Sequence, residues 1–134
     1  MILKYYMPDN NIRKAALSWF RSKYQIESDK IFTSKFYTPQ ESWSNTRVWF
    51  FQIPLDVIHS NPPEKIHLIC ENHLAGEPFI YLRVSSLFFL KNLGSFDVDQ
   101  KEKVARIYLS AESADMFKEV RGKGKIDFNP YRIS

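Results

Sequence analysis

Ile12, Ala15, Ala16, Trp19 and Phe20 recur at the spacing of one helix face, behind Pro8 and an Asp9-Asn10-Asn11 cluster that suits a helix start. The pattern predicts an amphipathic N-terminal helix to about Lys23, with Lys14 and Arg21 on its wet face and Arg13 beside the apolar arc. A second helical pattern lies in "SAESADMFKEVRG". Ala111, Ala114, Phe117 and Val120 fall near one face, Glu112 and Asp115 open the run, Lys118 and Arg121 close it, and Gly122 stands where a left-handed cap belongs. A C-terminal helix of three turns is expected there. Shorter signals are a capping box at Thr38-Pro39-Gln40-Glu41 and an apolar Leu87-Phe88-Phe89-Leu90 run that, with Leu93, ends before Gly94.

The period elsewhere shortens to that of strands. "RVWFFQI" (47–53), "KIHLICEN" (65–72), "FIYLRVS" (79–85) and "VARIYLS" (104–110) are short and rich in β-branched or aromatic residues, and a last strand is expected at 126–128. Residues 74–78, with Gly76 and Pro78, form a hairpin loop between the second and third. The expected architecture is one α+β domain over residues 1–134, a mostly antiparallel sheet of four to six strands with an N-terminal and a C-terminal helix.

Composition supports one ordered core. Of 134 residues, 44% are hydrophobic and 16% aromatic, with only 4 glycines, which sets the chain apart from disordered sequences. The single cysteine, Cys70, excludes an internal disulfide, and "MILKYYMPDN" lacks the apolar run of a signal peptide, so a cytoplasmic protein is expected. No apolar run approaches the roughly 18 residues of a membrane-spanning helix.

Charge changes the picture through its placement. Residues 1–35 hold seven Lys/Arg against three Asp/Glu and residues 118–134 hold five against two, whereas the stretch between carries a net −3. If the basic ends meet in the fold they form a patch that attracts phosphate; if they lie apart the charge only solubilises. The "RGKGK" stretch (121–125) lacks the spacing of a phosphate-binding P-loop and follows a helical pattern instead of opening one, so nucleotide hydrolysis is unsupported. What remains is backbone contact to nucleic acid through Arg121, Lys123, Lys125 and Arg132, against the plainer reading of an exposed soluble turn.

Alternate residues of a strand share a face, and by that parity three predicted strands each pair an arginine with a ring: Arg47 with Trp49 and Phe51, Tyr81 with Arg83, and Arg106 with Tyr108. On one open face these would let bases stack while guanidinium groups take phosphates. If a helix covers the face instead, the rings are core and the arginines snorkel to its edge.

Other chemistry is thinly supported. His67, Glu71 and His73 share parity, but His67 and Glu71 stand roughly 13 Å apart on an extended strand, too far to hold one ion. No metal or cofactor is expected. Cys70 and His73 point to opposite faces, which rules against a thiol nucleophile and base, and "G-x-S-x-G" is absent. Asp56, Glu64, Glu71 and Glu77 are acids without a spacing that singles them out for a nuclease.

The expected function is a small non-catalytic protein that binds or accompanies nucleic acid. Trp49, Tyr81 and Tyr108 would stack, with Arg47, Arg83, Arg106, Lys123 and Lys125 on phosphates. The competing class is a protein-interaction module, such as a subunit, inhibitor or immunity-type protein, that uses the same aromatic and arginine residues at an interface.

Overall fold

The computed structural model describes the backbone of residues 3–42 and 45–133, with side chains from Asn11 onward outside residues 43 and 44. Helix α1 (Leu3–Tyr24) ends at Gln25, whose φ of +56° and N–H bond to the Arg21 carbonyl form a left-handed stop. It starts earlier than the Asp9-Asn10-Asn11 cap predicts; the cap preference is worth only about 1 kcal/mol and is overridden here.

Strand β1 (Ile31–Ser34) runs parallel to β3 (Lys65–Glu71), which forms a hairpin with β4 (Phe79–Ser85), and β7 (Arg132–Ile133) pairs with β4 at Tyr81 and Leu82. A second sheet places β6 (Val104–Ser110) between β2 (Val48–Pro54) and β5 (Asp97–Asp99). The two short helices are α2 (Leu55–Ile58) and α3 (Ser86–Lys91). The α+β class is therefore as expected, with seven strands in two sheets among the described residues instead of one sheet of four to six. None of the described helices is long and apolar enough to cross a membrane.

The inner faces of the sheets make the main core. Trp49, Phe51 and Ile53 of β2 and Ile107 and Leu109 of β6 pack toward Ile66, Leu68, Ile80, Leu82 and Val84, and Phe89, Phe96, Phe117 and Phe128 close the end. The other face of the first sheet is covered by α1, through Ala16 and Phe20 on Ile31, Ile69, Phe79 and Tyr81. β3 and β4 are thus buried on both faces and read as near-continuous apolar runs, whereas β2 and β6 alternate because their outer face is open.

The expected C-terminal helix is absent. Residues 111–120 form turns, with Phe117 at φ +67°, and then bridges from Glu119 to Leu109 and from Lys118 to Asp127. The Ser110 hydroxyl explains the start: it accepts the Glu112 N–H at 3.0 Å and donates to Asp115 at 2.8 Å, an alternative to helical bonding. Phe117 and Glu119, two residues apart, are both fully buried, and a helix cannot turn them to one side. Phe117 stacks on Trp49, and the Glu119 carboxylate accepts the N–H groups of Tyr108 (2.9 Å) and Gly122 (2.6 Å). Burial pushes the Glu119 carboxyl above its ordinary range, against the pull of those N–H groups.

The expected strand at 126–128 reduces to the single bridge at Asp127. At Thr38 half of the capping box forms: the Glu41 carboxylate accepts the Thr38 N–H and hydroxyl, but the Glu41 N–H bonds the Thr38 carbonyl, and the stretch closes only a turn. The 87–90 run lies within α3, and Gly94 belongs to a 3-10 turn (Leu93–Ser95) without a left-handed φ.

Gly122 is not a helix cap. A Cβ there would lie 1.7 Å from the Ser95 carbonyl oxygen, while Gly94 has open space around it. Gly122→Ala should therefore cost about 1–3 kcal/mol in urea unfolding and Gly94→Ala close to nothing; equal midpoints for the two variants would contradict this packing.

Candidate nucleic-acid interface

The β2–β6 register sets Phe50 directly opposite Tyr108 on the open face of the second sheet. Their rings lie 4.6 Å apart, tilted by 30°. The guanidinium of Arg121, from the segment that bridges to β6, sits 5.2 Å from the Tyr108 ring. Arg106 is two residues along from Tyr108 on the same face. Beside the rings is a recess of about 200 Å³ lined by Tyr37, Glu41, Ser42, Val48, Phe50 and Tyr108.

Acids temper this face. Arg106 pairs with Asp99 at 2.9 Å and Arg121 with Asp97 at 3.2 Å. Hydrogen bonds from the Glu102 N–H and from Arg106 hold the Asp99 carboxyl below its usual range. The cations without a carboxylate lie on the adjoining loop. Lys123 and Lys125 are exposed and enter no ion pair among the described residues, and the Lys123 N–H donates to the Ser95 carbonyl just before β5.

The three expected arginine and ring pairs do not share one face. Arg106 and Tyr108 face outward. Trp49 and Phe51 point into the core: Trp49 is 0% exposed, stacks on Phe117 at 5.0 Å and donates its indole N–H to the Glu71 carbonyl. Arg47, just before β2, is exposed and pairs with Glu112 at 3.6 Å. Tyr81 and Arg83 lie on the first sheet, on the α1 side. Among the described residues the basic ends likewise do not form one patch. Arg132 and Lys23 line a common recess beside Trp19 and Glu77, whereas Lys123 and Lys125 follow the Ser95 junction on the other sheet.

Parity alone does not single out Phe50; a comparison of the two faces of β2 does. Trp49, Phe51 and Ile53 form an all-apolar set, while Phe50 alternates with the exposed Gln52, which marks the second set as outward.

Spacing along the chain likewise does not reveal His67 as a partner of Tyr81. The Tyr81 hydroxyl lies 2.6 Å from His67 Nδ1 and accepts from Arg83 Nε at 2.8 Å. Burial, aided by the Arg83 charge, pulls the His67 imidazole down to about 4, and burial pushes the Tyr81 phenol up. His73 stacks on Phe36 at 3.9 Å, and Glu71 accepts the Phe36 N–H at 2.7 Å, so both serve packing. Cys70 is fully buried and its thiol is pushed far up by burial. Among the described residues no three His, Cys, Asp or Glu side chains are grouped to hold a metal.

The molecule is thus an α+β domain of two packed sheets, one covered by a helix and one with a ring-bearing open face. No protein-family model, no curated protein and no solved structure matches the chain.

Proposed function

We propose that the protein is a non-catalytic nucleic-acid-binding protein of the cytoplasm that lays a single strand across the open β2–β6–β5 face. The observation that carries this reading is the half-buried Phe50–Tyr108–Arg121 stack on the outer sheet face, flanked by Lys123 and Lys125, which enter no ion pair among the described residues. Bases have a ring pair to stack on, and phosphates have two lysines and the guanidinium of Arg121, which can exchange its carboxylate partner for phosphate.

Fluorescence anisotropy of labelled single-stranded RNA, single-stranded DNA and duplex DNA tests the reading. Single strands should bind more tightly than duplex, and affinity should fall with salt. Lys123→Ala with Lys125→Ala should lower the salt slope by about 2, and Tyr108→Ala should cost about 1–3 kcal/mol of binding at any salt. Absence of binding to all three at low salt would remove the proposal.

One observation favours the competing class, a protein-interaction module: Asp97 and Asp99 neutralise both arginines, leaving a charge-balanced aromatic patch. A partner held that way would show little salt dependence, which separates the two readings.

A further inference from the structure

A second site lies on the first sheet, where α1 stops short of covering it. The β3–β4 register places His67 opposite Arg83, and Lys65 precedes His67 by two residues on the same strand face. Beyond Tyr24 the chain turns away at Gln25 and returns to β1 through Ile26, Ser28 and Lys30. These residues, with Glu27, Glu64, Lys65, His67 and Arg83, line a groove of about 440 Å³.

Counting donors and acceptors fixes the protons in this groove. Arg83 spends its Nε–H on the Tyr81 oxygen, so the hydroxyl proton of Tyr81 is available to His67 Nδ1. A proton on Nδ1 instead would leave the Tyr81 hydroxyl without an acceptor in a buried place. His67 therefore carries its proton on Nε2, and that N–H has no acceptor among the described residues; the residue is 5% exposed, and Nε2 is not among the atoms cut off from solvent. Among the described residues Arg83 and Lys65 enter no ion pair, although Glu27 and Glu64 line the same groove, whereas Lys30 is held by Asp29 at 2.7 Å and lies 3.9 Å from Glu64. An arginine, tyrosine and histidine chain is costly to bury beneath a helix unless every donor is used. Here the donors left over converge on one groove.

We propose that this groove is a seat for a phosphate monoester, with the Arg83 guanidinium, the Lys65 ammonium and the His67 Nε2–H as its donors. Two cations without carboxylate partners match a group that carries about −1.5 to −2 at neutral pH better than they match a single carboxylate or a diester. The planar fork of Arg83, already oriented by Tyr81, takes two phosphate oxygens, and the neutral imidazole contributes a directed N–H. Tyr81 is a positioning residue: it fixes the histidine tautomer and the guanidinium without reaching the ligand. The seat does not depend on the open face, because it lies on the other sheet.

The test is a phosphate titration of the full chain at constant ionic strength, followed by the ¹⁵N and ¹H signals of the His67 ring. Saturable shifts in the millimolar range are expected with inorganic phosphate and none with chloride. Lys65→Ala, which removes an exposed side chain and leaves the core intact, should weaken the affinity about tenfold. Unmoved ring signals, equal shifts with chloride, or full affinity in Lys65→Ala would overturn the seat. Two further arms identify the source of the phosphate. A 5′-phosphorylated oligonucleotide that binds better than its 5′-hydroxyl twin assigns the seat to the end of a strand. Equal binding of the two beside a positive phosphate titration assigns it to a small free phosphate compound. Lys123→Ala with Lys125→Ala should leave the phosphate titration unchanged, so failure of the open-face reading and failure of the seat are read separately.

Discussion

Trp49→Ala is expected to remove about 3–5 kcal/mol of folding stability, the usual cost of emptying a large aromatic site in a packed core. The indole is fully buried, lies parallel to Phe117 within 11°, and satisfies the Glu71 carbonyl through its N–H at 2.9 Å. Truncation would leave that carbonyl without its donor and Phe117 beside a void. Phe117 is held at a left-handed φ of +67° by the turn that carries it, so it cannot relax far into the space. Urea unfolding followed by circular dichroism gives the loss directly, and anisotropy under folding conditions gives the effect on binding. Stability should drop while any affinity of the remaining folded protein for single strands, on the proposed reading, stays near wild type. A variant as stable as wild type but poor in binding would move Trp49 from the core to the interface.

The second large effect is a loss of stability in acid that traces to His67. Its imidazole titrates near 6.5 in an unfolded chain and at about 4 in the folded protein, because burial and the Arg83 charge oppose protonation. Between those values the unfolded state takes up a proton that the folded state refuses. The contribution is therefore complete above about pH 6.5, declines as pH falls, and levels off below about pH 4, amounting to about 3 kcal/mol across the window. Carboxylates also titrate over this range, so the quantity to measure is the difference between wild type and His67→Asn, which keeps an acceptor for the Tyr81 hydroxyl but does not titrate. The variant should show a shallower dependence of the urea midpoint on pH. Parallel curves would mean that His67 is not held neutral beneath α1.

How far these features were legible in the sequence depended on whether the signal was local. The strands at 48–54, 65–71, 79–85 and 104–110 were readable because β-branched and aromatic runs bounded by turn residues specify strands nearly on their own. β1 and β5 were not: four residues of "IFTS" and three of "DVD" carry no period, and they become strands only because β3 and β6 offer them an edge. Residues 111–121 show the opposite failure, since every local helix rule agreed and a tertiary requirement prevailed. Phe117 had to reach Trp49, and Glu119 had to reach the Tyr108 N–H. At the candidate interface Arg106 and Tyr108 were legible by parity, whereas Phe50 needed a comparison of the two faces of β2. The proposed phosphate seat is hidden because its donors come from both strands of a hairpin, a meeting that spacing along the chain does not reveal.

The strands also alternate between sheets, with β1 in the first, β2 in the second, and β3 and β4 back in the first, before β5 and β6 complete the second and β7 returns to the first. During synthesis, β2 therefore emerges more than fifty residues before β6, its pairing partner, and Trp49 waits longer still for Phe117. Such distant pairing slows folding and leaves the apolar "VWFF" segment without its sheet until nearly the whole chain is made. The β3–β4 hairpin, closed by seven residues, and the β1–β3 pair beside it are full-length pairings available early. The topology thus separates the two sheets in time: β1, β3 and β4 of the helix-covered sheet are all made before β5 and β6 can complete the second sheet, and β7 is added to the first only at the end.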